Sequence, residues 1–308
     1  MSESDPELDP VPIEKYHGTG NDFVVVDAHE RVPDRRAFAE RVCDRESGIG
    51  ADGVLFLALE TETRTPRVVM TLFQPDGSTA PMCGNGARCA AAWAMERTGS
   101  ERVMVDTQAG SRRAERAGEE IAIEMGRPSF APADVPIDAD EPVIDRPVGE
   151  LGVSDLDVEL TGTDLDAEFA GSDHDAELAV SAVDTGVPHA VVIVDDVDAV
   201  SLETVAPPIR HADVFPRGTN VTLASPADGG FRQRTYERGV EGETDACGTG
   251  AVAVAAVARR LGLTHADAVT VRPPGGELRI SWTASGRVLL EGAVVREFAD
   301  EVSMTGSW

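Results

Sequence analysis

Two cysteines, Cys83 and Cys247, stand in the same short sequence pattern. Residues 82–92 read MCGNGARCAAA and residues 246–256 read ACGTGAVAVAA, so each cysteine precedes Gly-x-Gly-Ala and a run of small residues. A glycine-containing turn before small, helix-forming residues predicts a helix whose N-terminus carries the cysteine. The repeated pattern makes these two thiols the first candidates for chemistry.

A cysteine at a helix N-terminus meets unsatisfied backbone N–H groups and the positive end of the helix dipole. Both favour the thiolate over the thiol. The same N–H groups can bind a carboxylate, and glycines let it approach closely. If two related halves face each other, a carbon between the sulfurs would lose a proton to one and gain a proton from the other. The pattern therefore predicts inversion at a carbon beside a carboxylate, with the carbanion-like intermediate stabilised at the helix N-termini.

The other residues offer little for cofactor chemistry. Lys15 is the only lysine, and a pyridoxal enzyme needs a Schiff-base lysine. The glycine motifs lack both the Lys-Ser/Thr of a phosphate loop and the acidic ribose partner of a dinucleotide site. Four dispersed cysteines without a C-x-x-C pair fit neither a disulfide scaffold nor structural zinc, so Cys43 and Cys89 are expected to be buried small side chains. We expect no cofactor and no metal.

A longer internal similarity surrounds the two cysteines. The segment NDFVVVD (Asn21–Asp27) matches PHAVVIVD (Pro188–Asp195) as an apolar strand that follows a glycine-containing turn. The first residue of each segment precedes its cysteine by a similar distance, 62 residues in one case and 59 in the other. Two matched segments at matched separations indicate tandem homologous halves.

Strand-like runs recur throughout, which predicts two α+β halves richer in strand than a doubly wound fold. The expected strands are Val54–Leu59, Val68–Phe73, Ile121–Met125, Ala190–Val194, Val269–Val271, Leu278–Trp282 and Val288–Leu290. The two expected helices run from about Ala87 to Arg97, with a stop at Gly99, and to about Leu261, with a stop at Gly262.

The net charge of −28 argues against a nucleic-acid or anionic-membrane partner, because phosphate binding needs a basic face. One lysine beside 26 arginines suggests adaptation to a salty cytoplasm, where salt screens carboxylate repulsion. Residues 131–207 hold 20 acidic residues and one arginine, which predicts a solvated acidic insertion at about 150–180 rather than a metal site. The acidic N-terminus has no apolar signal-peptide core, so we expect a cytoplasmic protein. The acidity is compatible with a homodimer.

Six ordered motifs resemble the diaminopimelate epimerase family and extend over nearly the whole chain after about Ile13. They are HGTGNDF (17–23), GIGADG (48–53), DGSxxxxCGNGAR (76–88), VPHAV (187–191), YERGVEGETDACGTGA (236–251) and PGGEL (274–278).

The resemblance implies cofactor-independent conversion of LL- to meso-diaminopimelate, with Cys83 and Cys247 as acid and base. It further implies two pseudo-symmetric domains, each a mixed, mostly antiparallel sheet wrapped around a central helix, with the active site in the cleft between them. On this basis we expect an N-terminal domain over 11–125 and a C-terminal domain over 126–291. A strand at about 292–303 would return to the first domain.

The resemblance also implies nine substrate-binding positions. They are Asn21, Gln74, Gly84, Asn85, Asn220, Glu237, Arg238, Gly248 and Thr249, the glycines and their following residues acting through backbone donors. Glu237 and Arg238 would hold an ammonium and a carboxylate, for which arginine suits bidentate contact. Gln74, Val187 and Gly53 depart from the common family pattern, which has asparagine at the first two positions and in some members glutamine at the third.

Three alternatives compete with this interpretation. The chain could be another pyridoxal-independent amino-acid racemase, such as a proline racemase-like enzyme, although Asn220, Glu237 and Arg238 suit a second polar head better than a proline ring. It could be a thiol-redox protein that joins Cys83 to Cys247, or a catalytically dead binding module, against which both intact cysteines argue. His17 and His189 are expected to stabilise turns rather than to catalyse.

Overall fold

The computed structural model describes residues 9–153 and 178–304, so most of the expected acidic insertion lies outside the described residues. The first part of the chain contains β1 (Val11–Gly18), β2 (Asn21–Asp27), α1 (Arg35–Cys43), β3 (Gly53–Glu60), β4 (Arg67–Phe73), β5 (Thr79–Ala80), α2 (Gly84–Thr98), β6 (Arg102–Thr107), β7 (Gly110–Ala117) and β8 (Glu120–Gly126).

The second part begins with β9 (Arg146–Pro147) and a 3₁₀ turn at Val148–Leu151. The elements that follow are β10 (Ala179–Asp184), β11 (Pro188–Ile193), α3 (Leu202–Arg210), β12 (Asn220–Ala227), β13 (Gly230–Glu237), β14 (Gly242–Thr244), α4 (Gly248–Arg260), β15 (Ala268–Arg272), β16 (Leu278–Trp282), β17 (Val288–Gly292) and β18 (Val295–Val302).

These elements form two compact units. Unit 1 comprises Met1–Glu124 and Glu291–Trp308, and unit 2 comprises Met125–Leu290. The end of the chain joins unit 1 through β18, which pairs antiparallel with β1 from Val11↔Val302 onward. Each unit therefore contains one of the two repeated cysteine motifs.

The strand pairing repeats from unit to unit. In unit 1, β1–β2, β3–β4 and β6–β7 are antiparallel pairs, joined by the parallel pairs β2–β3 and β4–β6. In unit 2, β10–β11, β12–β13 and β15–β16 are antiparallel, joined by the parallel pairs β11–β12 and β13–β15. The short strands β5 and β14 pair with β4 and β13 in the same way. The internal repeat inferred from the sequence is thus confirmed at the level of topology.

One helix lies at the centre of each sheet. Helix α2 packs against β1, β2, β3, β4, β6 and β7, and α4 packs against the equivalent strands of unit 2, β10, β11, β12, β13, β15 and β16. A helix surrounded by strands has no solvent-facing side, and both helices are accordingly buried except near their C-terminal ends and are rich in alanine and glycine. The expected mixed, mostly antiparallel sheet around a central helix is confirmed.

The helix boundaries differ from the expected ones at the N-terminal end. Helix α2 begins at Gly84, three residues before the expected start, because the carbonyl of Cys83 already accepts from the N–H of Ala87 at 2.8 Å. It ends as expected at Gly99, which has a left-handed φ of 64° and donates its N–H to the carbonyl of Met95. Helix α4 ends at Arg260, one residue early.

Two helices were not anticipated. Helix α1 has four charged residues among nine and is capped by Asp34, whose carboxylate accepts from the N–H groups of Arg36 and Ala37. Helix α3 contains Pro207 and Pro208, which argue against a helix when only the sequence is considered. Each lies between two parallel strands of its unit, where a crossover is required. None of the helices in the described ranges is long and apolar enough to cross a membrane.

Candidate active site

Cys83 caps the N-terminus of α2. Its backbone is extended, with φ −142° and ψ 120°, and its Sγ accepts a hydrogen bond from the N–H of Gly86 at 3.4 Å. The side chain is half-buried, whereas Cys89, one and a half turns further along, is fully buried. The sulfur therefore meets the free N–H groups of the first helical turn, as the repeated pattern predicted.

A chain of hydrogen bonds orients two amides beside Cys83. The Asn85 Nδ2 donates to Asn21 Oδ1 at 2.6 Å, and the Asn21 Nδ2 donates to Asp52 Oδ2 at 3.1 Å. A carboxylate only accepts, so Asp52 decides which end of each amide faces which neighbour. The Cys83 half-site, defined as Cys83, Asn85, Asn21 and Asp52, thus has a fixed amide polarity.

Ion pairs of Asp22 and Asp52 adjoin this half-site. The only lysine, Lys15, is buried at 3% exposure, with its Nζ 2.7 Å from Asp22 Oδ2. Arg45 bridges Asp22 and Asp52, its Nη2 lying 3.0 Å and 2.7 Å from their oxygens. Burial opposes ionisation of Asp22, but hydrogen bonds from Arg45 and Lys15 outweigh it and lower its pKa to about 2. Charged groups therefore link Asp22 in β2 to Asp52, the residue before β3, next to Asn21 in the chain.

Cys247 caps α4 in a different setting. It is buried at 5% exposure, and its Sγ lies 3.4 Å from the hydroxyl of Thr249. That hydroxyl is also 3.0 Å from His189 Nε2, and His189 Nδ1 is 3.2 Å from the hydroxyl of Thr222. The Cys247 half-site, defined as Cys247, Thr249, His189 and Asn220, therefore places hydroxyl, imidazole and amide groups around the thiol.

The hydrogen bonds assign the tautomer of His189. Asn220 Oδ1 accepts from the backbone N–H of Arg238 at 2.7 Å, so its Nδ2 faces the carbonyl of Pro188 and, at 3.4 Å, His189 Nε2. Nε2 must then accept, and Nδ1 carries the proton and donates to Thr222. Burial, assisted by the charge of Arg238, lowers the pKa of His189 to about 3, so the ring is neutral at physiological pH.

Gly250 is required by this packing. A Cβ there would lie 2.8 Å from Gln233 Nε2 and 3.1 Å from the hydroxyl of Thr235. Gln233 donates through that nitrogen to the Cys247 carbonyl at 3.1 Å. The close approach of β13 to the first turn of α4 explains why a glycine stands at this position of the motif.

The structure joins most of the expected site residues within their own units. In unit 1, Cys83, Gly84, Asn85 and Asn21 lie together. In unit 2, Asn220 bonds to the backbone of Arg238, and Gly248 and Thr249 form the first turn of α4. The hydroxyl of Thr244 donates to Glu237 Oε1 at 2.6 Å, and Arg238 Nη1 donates to the carbonyl of Gly218 at 3.3 Å.

The structure gives the local contacts of Gln74, His189 and Gly53. The amide of Gln74 donates to the hydroxyl of its turn neighbour Ser78 at 2.9 Å. The sequence suggested that His189 lies in a turn. It lies instead in β11, where it is fully buried and hydrogen-bonded to Thr249. Gly53 leaves no room for the side chain that some family members carry, since a Cβ would lie 2.8 Å from the carbonyl of Phe73.

Sequence reasoning missed Asp52 and Arg88. Asp52 lies in the GIGADG motif, and its role could have been suspected from that placement, whereas nothing in the sequence marks the pairing with Asn21. Arg88 is completely buried in α2. Across residues 9–153 and 178–304, no three His, Cys, Asp or Glu side chains are grouped in a way that could hold a metal ion.

The fold is shared with a class of solved enzymes and related proteins. The chain superposes on a phenazine biosynthesis protein of the PhzF family from Bacillus anthracis with a TM-score of 0.64 and 15% identity, covering 96% of this chain and 100% of that one. A hydroxyproline epimerase from Agrobacterium vitis matches with a TM-score of 0.60 and 14% identity, over 96% and 93% of the two chains. These likenesses define the class, a two-unit α+β fold with repeated cysteine motifs in this chain.

Sequence comparison identifies the family within that class. The diaminopimelate epimerase family model matches residues 13–131 and 181–297. The diaminopimelate epimerase of Methanocella arvoryzae is 41% identical over 302 residues, covering 94% of this chain and 96% of that protein. The one from Methanothrix thermoacetophila is 43% identical over 291 residues, covering 91% and 92%. The chain belongs to the diaminopimelate epimerase family and is an isomerase.

Proposed function

We propose that this enzyme interconverts LL- and meso-2,6-diaminopimelate without a cofactor, with Cys83 and Cys247 as the acid and base. The observation that carries the proposal is the repeated helix cap: two equivalent helices begin at a cysteine in a chain of this family. The thiol-redox and binding-module alternatives account for neither the duplicated cap nor the family membership. The proline racemase-like alternative shares the fold but not the family match.

In the proposed reaction one sulfur removes a proton from the substrate and the other sulfur supplies one. The thiolate of one cysteine takes the proton from Cα, so a C–H bond breaks and an S–H bond forms. The thiol of the other cysteine gives its proton to the opposite face of the same carbon, so an S–H bond breaks and a C–H bond forms. Each well-placed acid or base contributes about 10²–10⁴-fold to such a step. The enzyme ends each turnover with thiol and thiolate exchanged.

The first turns of α2 and α4 supply the electrostatic stabilisation in this proposal. Gly84 with Asn85, and Gly248 with Thr249, present backbone N–H groups at positive helix ends, where the substrate α-carboxylate and the charge developing at Cα are stabilised. The hydrogen bond from Gly86 N–H to Cys83 Sγ is of the same kind. No metal or imine is needed for this charge stabilisation.

Polar side chains would hold the ends of the substrate. Asn21 has a fixed amide, which suits a directional contact with an ammonium or carboxylate. Glu237 suits the ammonium, and the guanidinium of Arg238 suits a carboxylate in a bidentate contact. The Asn220 Oδ1 fixes the backbone of Arg238, so Asn220 contributes to this placement as well. We assign Gln74 a weaker, adjustable contact because its amide can leave Ser78.

The proposal also covers the cellular environment, the partners and the oligomeric state of the enzyme. The charge of −28 supports activity in a salty cytoplasm, without nucleic-acid or membrane partners. Stability measured from low salt to multimolar KCl tests this, and full stability at low salt would contradict it. Sedimentation in the same buffers tests for a homodimer.

Proton NMR of LL-diaminopimelate in D₂O and multimolar KCl tests the reaction. With fully reduced protein we expect loss of the α-proton signal and appearance of the meso isomer. The Cys89→Ala variant serves as the matched control, because Cys89 lies on the same helix but away from the cap, and it should retain turnover. Absence of exchange in a folded protein with free thiols would refute the proposal, and activity on proline instead would support the racemase alternative.

A further inference from the structure

The hairpin β1–β2 of unit 1 and its equivalent β10–β11 of unit 2 both have the dipeptide Thr-Gly in the turn. In unit 1, Thr19 and Gly20 form the two-residue loop between the paired strands. In unit 2, the loop spans 185–187 and reads Thr-Gly-Val. The two Thr-Gly turns, defined as residues 19–20 and 185–186, therefore occupy equivalent places in the repeated topology.

Thr19 has a backbone conformation that a threonine rarely adopts. Its φ is 53° and that of Gly20 is 85°, as required by a two-residue hairpin turn whose central residues are both left-handed. Glycine and asparagine adopt such a φ readily, whereas a β-branched residue is strained there. The residue is also buried, at 6% exposure. A strained and buried threonine in this turn points to a role for its hydroxyl group.

The Thr19 hydroxyl joins the turn to helix α2. It accepts a hydrogen bond from Arg88 Nη2 at 2.8 Å. Arg88 is completely buried, and its Nε and Nη1 have no hydrogen-bond partner among residues 9–153 and 178–304. Buried donors are costly to leave without an acceptor. Loss of the Thr19 hydroxyl would therefore cost Arg88 the one acceptor that it has within those ranges.

A second bond from the same face of α2 holds the residue after the turn. Asn85 lies three residues before Arg88, so the two side chains are neighbours on the helix surface. Asn85 Nδ2 donates to Asn21 Oδ1 at 2.6 Å. Strand and helix also approach closely at Gly18, where a Cβ would lie 3.4 Å from the Asn85 carbonyl oxygen. The turn is therefore held against the first two turns of α2 at both Thr19 and Asn21.

The Thr-Gly turn of unit 2 is joined to its own helix in an equivalent way. Thr185 is buried at 3% exposure, and its hydroxyl donates to the carbonyl of Thr249 in the first turn of α4 at 3.0 Å. The hydroxyl of Thr249 in turn lies 3.0 Å from His189 Nε2, four residues beyond Thr185. In each unit, the threonine of the turn and a residue of the following strand are both hydrogen-bonded to the helix that the cysteine caps.

We propose that Thr19 and Thr185 are positioning residues, whose hydroxyl groups fix each hairpin turn to the cysteine-bearing helix and so set where the substrate-binding groups of that half-site lie. In unit 1 these groups are Asn21 and the N–H groups of the first turn of α2. In unit 2 they are the N–H groups of the first turn of α4, including that of Thr249. Both threonines act through their neighbours and not by touching substrate. The inference rests on the proposed function, which gives those neighbours their roles.

Replacement of each threonine by valine and by serine tests the proposal. Thr19→Val and Thr185→Val keep the β-branched shape but lose the hydroxyl, and each should raise KM for diaminopimelate about three- to tenfold with a smaller change in kcat. Thr19→Ser and Thr185→Ser keep the hydroxyl and should hold KM within about twofold of the wild type. A role in packing alone predicts the reverse order, because valine matches the volume of threonine better than serine does. Unchanged KM in either valine variant would overturn the proposal.

Two further variants separate the hydroxyl from the shape of the turn. Thr19→Gly relieves the strain and removes the hydroxyl, and it should raise KM as Thr19→Val does. A wild-type KM in Thr19→Gly would mean that the turn conformation, and not the bond to Arg88, positions Asn21, and the proposal would be wrong. Thr98→Val is the matched control, because the Thr98 hydroxyl donates to the Ala94 carbonyl at the opposite end of α2, and KM should not change.

Hydrogen exchange followed by mass spectrometry gives a readout that needs no substrate. Peptides that cover 17–23 and 184–190 report the two turns separately. In Thr19→Val the first peptide should exchange about tenfold faster and the second should be unchanged, and Thr185→Val should show the opposite pattern. Exchange at the wild-type rate in both turns would show that the hydroxyl groups do not hold them, and the proposal would be wrong.

The two levels of the proposal fail in different ways. A folded wild-type protein that does not epimerise diaminopimelate refutes the proposed function. An active wild-type protein whose valine variants have lower melting temperatures but unchanged KM overturns only the positioning role, because the threonines would then be structural. Local exchange confined to the altered turn, together with a raised KM that serine restores, supports both levels.

Discussion

The two half-sites have the same topology and a different polar environment. Around Cys83, the amides of Asn85 and Asn21 are oriented by the carboxylate of Asp52, above ion pairs of Asp22 with Lys15 and Arg45. Around Cys247, the hydrogen bonds join hydroxyl, imidazole and amide groups, and the charge of Arg238 acts on the His189 ring. Strand pairing and helix capping repeat from unit to unit, whereas the side chains around the two caps differ. The comparison teaches that equivalent positions in a repeated topology can have different polar neighbours.

The largest effect is expected from removing either sulfur. Cys83→Ala and Cys247→Ala should each lower turnover by about 10²–10⁴-fold, because each removes one acid–base group. Both folds should persist, since the caps are held by backbone hydrogen bonds of Ala87 and Ala251. Steady-state epimerisation measures this, with Cys89→Ala as the control. Near-normal turnover in either of these two variants would contradict the assignment of both cysteines, since one half-site would then be dispensable.

His189 in the Cys247 half-site should make the stability of the protein sensitive to acid. The pKa of His189 is lowered to about 3 when folded, so its contribution is complete above its ordinary value of 6.5. As the pH falls below 6.5, the unfolded state binds a proton that the folded state refuses, and stability is lost. Between pH 7 and 4.5 this loss is about 2–3 kcal/mol.

Replacing the ring tests that assignment. His189→Gln has no titrating group, so its loss of unfolding free energy between pH 7 and 4.5 should be smaller by about 2–3 kcal/mol than in the wild type. Denaturant unfolding at the two pH values gives the difference. An equal pH dependence in the two proteins would show that His189 titrates normally.

Arg238 should affect substrate capture more than chemistry. In Arg238→Lys the planar fork is lost, which should raise KM about tenfold with a smaller change in kcat. Arg217→Lys is the matched control, because Arg217 is an exposed neighbour whose carbonyl, not side chain, contacts Arg238. Unchanged KM and kcat in Arg238→Lys would remove this residue from the binding site.

The smallest effect on activity is expected from variants that change the amide orientation in the Cys83 half-site. Asp52→Ala frees Asn21 Nδ2 and so the polarity of both amides, which should raise KM severalfold and cost about 1 kcal/mol of stability. Arg45→Gln removes the exposed ion pair with Asp52 but leaves the bond to Asn21, and should change KM less. Equal effects of the two variants would mean that the ion pair, rather than the amide orientation, matters.

Much of the fold follows from local sequence patterns. Apolar runs predicted the ends of β3, β4, β8, β11, β15, β16 and β17 to within two residues, because the strand pattern is visible along the chain. Helices α1 and α3 were missed, since one is short with four charged residues among nine and the other contains two prolines. Those helices depend on burial against a sheet that no local window contains.

The sequence by itself determined the repeat, the two helix-capping cysteines and the family, because these depend on residue identity and spacing. Only the tertiary structure decided what surrounds each cysteine. Residues far apart in the chain, such as Asn21 with Asn85, Arg88 with Thr19 and His189 with Thr249, are brought into hydrogen-bond contact by packing of each central helix against its sheet. Burial then sets their charge states, as the neutral ring of His189 shows. The free energy of an ionised group depends on its solvation and its neighbours, and neither can be read from sequence spacing.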